Sequence, residues 1–296
     1  MSKKSSRHHY LPRFMLNEFT DENDKLWVYN KEKDFIEPKS KSPKSVFFEW
    51  NRNTTYLGKD KYVWLEDLYS GLDDSMSKTY RKIIGTNKQV KSERENIDLA
   101  LDIIIFVNFI RWRVPARDKI VYEIYDKYEI GDLSLKTINK KTNEEIKSKE
   151  FNQFLKSLDV WRKAQSSAIF LEPWQNFDHI KFVSERIRLL TGSKFPALIC
   201  DNPFIEKSIS ENVKELPEFF FPISKNKMAY YLSDSSVNKL DAKATYLIEL
   251  SKFEIAEKYV ACEDKEVLEA YLFEYQSNRS KNISFTKELF EYLNKK

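Results

Sequence analysis

Two of the three histidines in the chain are neighbours, His8 and His9. An imidazole titrates close to neutral pH, so one of the pair could act as a general base and the other could bind a metal ion. Neighbours on a strand point to opposite faces, so at most one of them faces a given site unless the backbone turns there. The alternative is a histidine that packs beside aromatic residues or lies exposed next to the N-terminal tail. Tyr10 and Arg13 follow closely, and we expect both to contact a substrate if this segment forms a site.

An Asp-Asn pair, Asp201 and Asn202, follows the apolar run 195–200, and Pro203 fixes a turn behind it. Polar residues at the end of a strand are well placed to form a site. We therefore predict that Asp201 is a catalytic carboxylate and metal ligand and that Asn202 binds substrate. The alternative, which is equally open, is that both side chains cap backbone groups within the turn.

Three guanidinium groups, from Arg111, Arg113 and Arg117, stand together at the end of a predicted helix. Such a cluster can bind phosphate or a carboxylate through paired hydrogen bonds. It can also stabilise the negative end of the helix dipole, which is the simpler role. Glu66 and Asp73 lie seven residues apart on one face of another predicted helix. They are either acid–base or metal-binding carboxylates, or partners of the arginine cluster in salt bridges.

Several sequence motifs are absent from the chain. Glycine-rich nucleotide-binding loops are missing, so no nucleotide cofactor is expected, and the zinc-protease and α/β-hydrolase patterns are missing too. Cys200 and Cys262 do not have the spacing of a zinc ribbon, and we expect two buried free thiols. The chemistry that remains is that of histidines, carboxylates and arginines.

The balance of charge argues against a protein that coats nucleic acid through its overall charge. The chain has 50 Lys and Arg residues against 46 Asp and Glu residues, a formal net charge of +4. The N-terminus is basic and polar with no apolar stretch, and no run approaches the roughly 18 apolar residues of a membrane span. We expect a cytoplasmic protein with no membrane partner. A local basic patch remains open, and the candidate partners are nucleic acid and protein.

Hydrophobic periodicity predicts one α+β domain over residues 1–296, predominantly helical, with a mixed β-sheet built from N-terminal and C-terminal strands. A β element over 8–50 precedes a helical middle over 63–172 and a C-terminal part over 174–296 that is first strand-rich and then helical. Helices are predicted at 63–84, 93–114, 116–128, 149–172, 235–258, 264–276 and 284–294. Strands are predicted at 186–191, 195–200, 219–222, 228–232 and 259–262, and the polar segment 131–148 is predicted to be exposed.

Taken in order, these segments resemble the bacterial and fungal family called domain of unknown function 4238. The family's opening reads much like His8 to Phe14, often with Gln at the position of Arg13, and its later signature is Ser-Asp-x-Pro. Here Cys200 replaces that Ser, while Asp201 and Pro203 match. The two acidic residues of the family fall at Glu66 and Asp73, and Arg111 to Pro115 fits loosely. The resemblance implies a common fold and no known activity.

A weaker likeness connects His8 to Arg13 with the opening strand of HNH nucleases. In that fold one histidine is the general base, its neighbour helps to bind a divalent metal, and a second ligand comes from a following helix. Asn51 and Asn53 are the substitutes available for that second ligand.

Two hypotheses for the function follow from these residues. The first is a metal-dependent nuclease or phosphodiesterase, such as a defence or toxin effector. In it His9 activates water, His8 or Asp201 holds Mg²⁺ or Mn²⁺, and Arg13 and the arginine cluster neutralise phosphate. The second is a non-catalytic module that binds protein or nucleic acid, in which the His-His and Asp-Asn-Pro segments are structural.

Overall fold

The computed structural model describes residues 6–57, 59–86, 93–127, 138–146, 149–158, 163, 167, 169–192, 196–208, 212–234, 240–279 and 283–295. The start of the predicted strand at 195, the start of the predicted helix at 235 and parts of the segment 131–148 lie outside these residues. Residues 138–144, which belong to that segment, are exposed as predicted.

The N-terminal part consists of short strands and short helical turns. Strand β1 (Arg7–His9) is followed by α1 (Arg13–Leu16) and a 3-10 turn at Asn17–Phe19. Strands β2 (Trp27–Asn30) and β3 (Phe35–Ile36) precede a second 3-10 turn at Pro43–Ser45. Strands β4 (Phe48–Trp50), β5 (Thr55–Leu57) and β6 (Asp60–Tyr62) complete this part. The predicted β element over 8–50 is therefore present, and it carries the His-His pair on its first strand.

Helices dominate the middle of the chain. They are α2 (Trp64–Gly85), α3 (Glu93–Arg111), α4 (Asp118–Lys127) and α5 (Lys149–Lys156), with 3-10 turns at Pro115–Arg117 and Ile169–Gln175 and then α6 (Phe177–Arg186). The C-terminal part begins with five strands, which are β7 (Arg188–Thr191), β8 (Ile199–Cys200), β9 (Ile205–Glu206), β10 (Phe219–Ser224) and β11 (Lys227–Tyr231). Helix α7 (Ala242–Ile255) comes next. Strand β12 (Tyr259–Cys262) and helices α8 (Lys265–Arg279) and α9 (Phe285–Leu293) follow.

Helix α3 is the central helix of the N-terminal core, and Pro115 limits its length. Its residues from Ala100 to Ile110 include seven fully buried apolar side chains, because the helix contacts α2, α6 and the 3-10 turn at Ile169–Gln175. A helix that is apolar on most sides must be buried on most sides. A proline disfavours helical backbone in the residue before it, and Val114 is extended, with φ −79° and ψ 147°. The predicted helix over 93–114 therefore ends at Arg111, and the arginine cluster starts at its last residue.

The two ends of the chain share a β-sheet. Its strand order is β3-β2-β12-β8, so two N-terminal strands pair with one strand from each side of α7. Val28 is opposite Ala261 and Cys200 is opposite Val260, and every pairing is antiparallel. A second sheet has the order β7-β11-β10-β9, and β1-β4 and β5-β6 form two-stranded pairs. The α+β class and the sheet shared between both ends are confirmed, although the strands fall into several antiparallel sheets.

Two hydrophobic clusters form the interior. The first joins the N-terminal motif, α2, α3, α6 and one face of β10. The second joins α7, α8 and α9 to the other face of the C-terminal strands and contains both cysteines, which are free and buried as predicted. No helix of the described part of the chain is long and apolar enough to cross a membrane.

A buried ion pair, Glu249 and Lys252, fixes helix α7 against the strand end at Leu198. Lys252 Nζ donates to Glu249 Oε1 at 2.7 Å and to the Leu198 carbonyl at 2.9 Å. The Leu198 N–H donates to Glu249 Oε2 at 2.8 Å. The Lys252 side chain is 0% exposed and that of Glu249 4%, so each charge depends on the other for compensation.

We expect Lys252→Met to lower the free energy of unfolding by about 3 kcal/mol, because it leaves the Glu249 carboxylate buried without its cation. The free energy of unfolding should decrease clearly less in the double variant Glu249→Gln with Lys252→Met, since this variant removes both charges. Urea unfolding followed by circular dichroism measures both. Lys243→Met, on the exposed side of the same helix, is the control. A double variant less stable than the single variant contradicts this account.

Candidate functional site

His8 is buried in a hydrogen-bonded chain that joins β1 to α2. It is 1% exposed and lies opposite Glu49 in the β1–β4 pair. The Asn53 N–H donates to His8 Nδ1 at 2.8 Å, and Asn53 Nδ2 donates to Glu66 Oε2 at 2.7 Å. Since Nδ1 accepts a hydrogen bond, the neutral His8 ring carries its proton on Nε2. Asn53 and Glu66, both noted in the sequence, are therefore the residues that the structure brings to His8.

His9 points away from His8, as alternation along a strand requires. Its Nε2 lies 3.1 Å from the Pro43 carbonyl, which can only accept, so Nε2 carries the proton and Nδ1 keeps its lone pair. Burial lowers the pKa of His9, and the nearby guanidinium of Arg13 adds to the decrease. A neutral imidazole with a free ring lone pair is chemically suited to accept a proton. Arg13 itself is exposed on α1.

The three clustered arginines are buried and engaged with carboxylates. Arg113 donates to both oxygens of Asp73 and, at 2.8 Å, to the His9 carbonyl. Arg111 Nη2 donates to Glu206 Oε2 at 2.8 Å, and Arg117 donates to the other oxygen of Glu206. All three side chains are at most 6% exposed. The guanidinium groups thus bind carboxylates of the chain itself, and Asp73, but not Glu66, is a salt-bridge partner of the cluster.

Asp201 and Asn202 lie at the end of β8 and bond to the loop before β12. The Asp201 carboxylate accepts three backbone N–H groups, from Glu257 at 2.9 Å, Lys258 at 2.6 Å and Tyr259 at 3.0 Å. Asn202 Nδ2 donates to the Ile255 carbonyl at 3.3 Å. These contacts match the capping alternative, although the backbone groups belong to another segment rather than to the turn itself.

The predicted site residues have different hydrogen-bond partners, although Asp201 lies close enough to Tyr10 to help raise its pKa. Burial raises the pKa of Asp201 to about 6, although its three backbone hydrogen bonds act in the opposite direction. Tyr10, the remaining predicted substrate contact, is 3% exposed and packs edge-on against Phe47, and burial raises its pKa. Within the residues that the structure describes, no three His, Cys, Asp or Glu side chains lie close enough together to hold a metal ion. His8 and Asp201, the two candidate metal ligands, therefore belong to no such group of three there.

A pocket of about 240 Å³ opens beside the His8 chain. It combines aromatic rings with acidic and basic side chains, and Asn53 is the residue that it shares with the His8 chain. Arg52 is one of its lining residues and donates to Glu49 Oε2 at 2.8 Å, to both Asp118 oxygens and to the Arg113 carbonyl at 3.2 Å. The pocket is lined by Glu49, Arg52, Asn53, Leu65, Tyr69, Trp112, Asp118, Tyr122 and Lys163.

Most of these pocket residues were not identified from the sequence. The sequence spacing could have identified Tyr69. It lies three residues after Glu66 and four before Asp73 and therefore shares their helix face. Arg52 follows Asn51, whose φ of 56° turns the chain between β4 and β5. Asp118 occupies the first turn of α4. No local pattern indicates that Arg52 and Asp118, 66 residues apart, pair with each other.

A comparison with family models identifies the chain. The model described as "Protein of unknown function (DUF4238)" matches residues 7–283. The chain belongs to this family. No curated protein and no solved structure matches the chain significantly. In this DUF4238 chain, the opening motif forms β1 and the start of α1. Glu66 accepts a hydrogen bond from Asn53, and Asp73 accepts from Arg113. Asp201 accepts from the backbone at the start of β12 and just before it.

Asp201 should make stability depend on pH between about pH 4 and pH 6. Its pKa is raised in the folded chain from 3.8 to about 6, so the folded state binds more protons than the unfolded state in this window. Its contribution is then fully present below pH 4 and is lost as the pH rises through 6. We expect the stability of wild type relative to Asp201→Asn to decrease across this window by roughly 1–3 kcal/mol.

Urea unfolding of both proteins at a series of pH values measures this difference. Asp74→Asn, which changes an exposed carboxyl on α2, is the control and should give a much smaller difference. If the stability of wild type relative to Asp201→Asn instead increases with pH, the three backbone hydrogen bonds outweigh burial and the assigned direction is wrong.

Proposed function

We propose that this protein binds single-stranded nucleic acid, with bases stacked on an exposed aromatic surface and one base inserted into the pocket. The observation that carries the proposal is a group of three exposed rings on the segment that builds the pocket wall. Trp50 is 61% exposed, Tyr56 59% and Trp64 39%. We call these three residues the aromatic rim. Large exposed apolar side chains that form one patch indicate a binding surface, and we propose that these three, all within residues 50–64, form such a patch.

The aromatic rim adjoins the pocket along the chain. Glu49 and Arg52, on either side of Trp50, both line the pocket, as does Leu65 beside Trp64. Proteins that bind single strands without sequence preference combine aromatic rings, on which bases stack, with cations along the backbone path. Here the Arg7 guanidinium carbon lies 5.1 Å from the Trp50 ring centroid, and Lys61 is exposed on β6.

The pocket itself has the composition of a base-binding site. Its volume of about 240 Å³ suits a planar ring system better than a larger cofactor. Tyr69, Trp112 and Tyr122 contribute aromatic rings to its lining, while Glu49 and Asp118 offer acceptors for the N–H groups of a base edge. Proteins that take a base out of its stack read it by stacking and by hydrogen bonds to its edge in this way.

A second candidate function, a metal-dependent nuclease or phosphodiesterase, is favoured by His9. Its ring is neutral at pH 7 and keeps a lone pair on Nδ1, and exposed Arg13 lies close enough to lower its pKa. A base next to a cation is an arrangement that phosphodiester hydrolysis can use, with Mg²⁺ or Mn²⁺ as the expected cofactor. We rank it second because Asp201, the carboxylate expected to bind the metal, is hydrogen-bonded to backbone N–H groups.

We expect wild type to bind labelled single strands of about twelve nucleotides, DNA or RNA, and the double variant Trp50→Ala with Tyr56→Ala to bind at least about 30-fold more weakly. Each lost ring removes a stacking surface, and both rings are largely exposed, so the variant should fold. Fluorescence anisotropy at fixed salt measures the affinities. Phe273→Ala, which removes a ring 67% exposed on α8, is the control and should bind like wild type.

The proposal is wrong if wild type does not bind, or if the Phe273 variant loses as much affinity as the double variant. If wild type captures a protein partner through the aromatic rim and has no affinity for oligonucleotides, the surface recognises protein instead. Incubating the same oligonucleotides with Mg²⁺, Mn²⁺ or a chelator tests the second candidate. Metal-dependent cleavage that disappears in His9→Ala, but not in the folded control His179→Ala, would replace the binding role with a nuclease.

A further inference from the structure

The buried cluster of Arg111, Glu206 and Arg117 carries more positive than negative charge. Two guanidinium groups share a single carboxylate, one on each of its oxygens. The side chains are 0%, 4% and 3% exposed, respectively. The cluster therefore has an excess of one positive charge in a place that solvent does not reach. A buried charge is normally compensated by a partner, because its transfer out of water is costly.

Three N–H donors of the cluster lack an acceptor. Arg111 Nε, Arg111 Nη1 and Arg117 Nε are buried and have no hydrogen-bond partner in the part of the chain that the structure describes. Buried polar groups in folded proteins are hydrogen-bonded in the great majority of cases, and an exception points to a missing water or ion. Unpartnered donors and uncompensated charge thus occur on the same side chains.

Aromatic rings do not supply this compensation. The Arg111 guanidinium carbon lies 4.5 Å from the Trp112 ring centroid and 5.0 Å from that of Phe204. Such contacts attract the cation through the ring quadrupole, but they bring neither a negative charge nor a lone-pair acceptor. Burial also lowers the pKa of Arg111 to about 10, and Arg117 contributes to the decrease. Arg111 nevertheless remains a cation at neutral pH.

We propose that a small monovalent inorganic anion, the size of a halide ion, binds at the unpartnered donors of Arg111 and Arg117. An anion can accept from one or more of these N–H groups and also neutralises the excess charge, whereas a water molecule does only the first. Because protein encloses the donors on these side chains, a small ion suits the site better than a phosphate-sized ligand. This site is independent of the proposed nucleic-acid binding, although Trp112 also forms a wall of the pocket.

Bromide provides a direct structural test of the site. Crystals of the full chain grown or soaked in sodium bromide should show an anomalous scattering peak within hydrogen-bonding distance of Arg111 Nε or Nη1, or of Arg117 Nε. Peaks only at exposed lysines, with a water molecule or no density at the cluster, would overturn the proposal.

Thermal unfolding tests the site in solution. At constant ionic strength, replacing sodium gluconate with about 200 mM sodium chloride should raise the melting temperature of wild type by on the order of 3 °C, because an ion that binds only the folded state stabilises it. Arg117→Met leaves Arg111 and Glu206 as a neutral pair, so the variant should fold and should not respond to chloride.

Arg13→Met is the matched control, because it removes the same charge from an exposed position. It should respond to chloride like wild type. An equal response in the Arg117 variant, or no response in wild type, would show that the cluster holds no anion.

Discussion

The position of the pocket depends on the contacts of one guanidinium group, that of Arg113. It donates to Asp73 on α2 and to the carbonyl of His9 on β1. Its carbon lies 4.8 Å from the Tyr69 ring centroid and 5.2 Å from that of Phe109 on α3. Because Arg113 follows the end of α3 directly, these contacts hold the N-terminal strand, α2 and α3 at one point. The Arg113 carbonyl also accepts from Arg52, so this pocket-lining residue is attached to the same point.

Buried ionic contacts elsewhere in the chain join segments that are distant in sequence. Arg111 and Arg117 bind Glu206, which lies 95 and 89 residues further along the chain. The partly exposed pair of Arg52 and Asp118 also joins segments that are 66 residues apart. The desolvation of buried pairs offsets much of their attraction, so they add little stability on balance. A misplaced partner, however, leaves a charge buried alone, which is strongly unfavourable. The buried contacts of Arg111 and Arg117 with Glu206 thus act against alternative arrangements of α3 and β9.

The sequence predicts those features that depend on local patterns. Alternation along a strand places His8 and His9 on opposite faces, and a spacing of seven residues places Glu66 and Asp73 on one helix face. Apolar runs of β-favouring residues predict β2, β8 and β12, and their shared sheet was expected because strands occur at both ends of the chain. The hydrogen-bond partners of the buried polar side chains, however, cannot be predicted from local patterns. Nothing near Asp201 indicates that its carboxylate accepts N–H groups from residues 257–259, and nothing near Arg111 indicates Glu206.

The pairing of charges around the pocket limits the ligands that it can accept. Arg52 already donates to Glu49, Asp118 and a backbone carbonyl, so it has little capacity left to bind a phosphate group. The carboxylates of Glu49 and Asp118 are 37% and 41% exposed, so each presents an oxygen surface to a ligand despite its bond to Arg52. A pocket with occupied cations, accessible acceptors and aromatic walls favours a ring that carries N–H groups over an anionic group. The near balance of 50 basic and 46 acidic residues is consistent with this, because recognition by stacking and by base edges does not require an excess of positive charge over the whole chain.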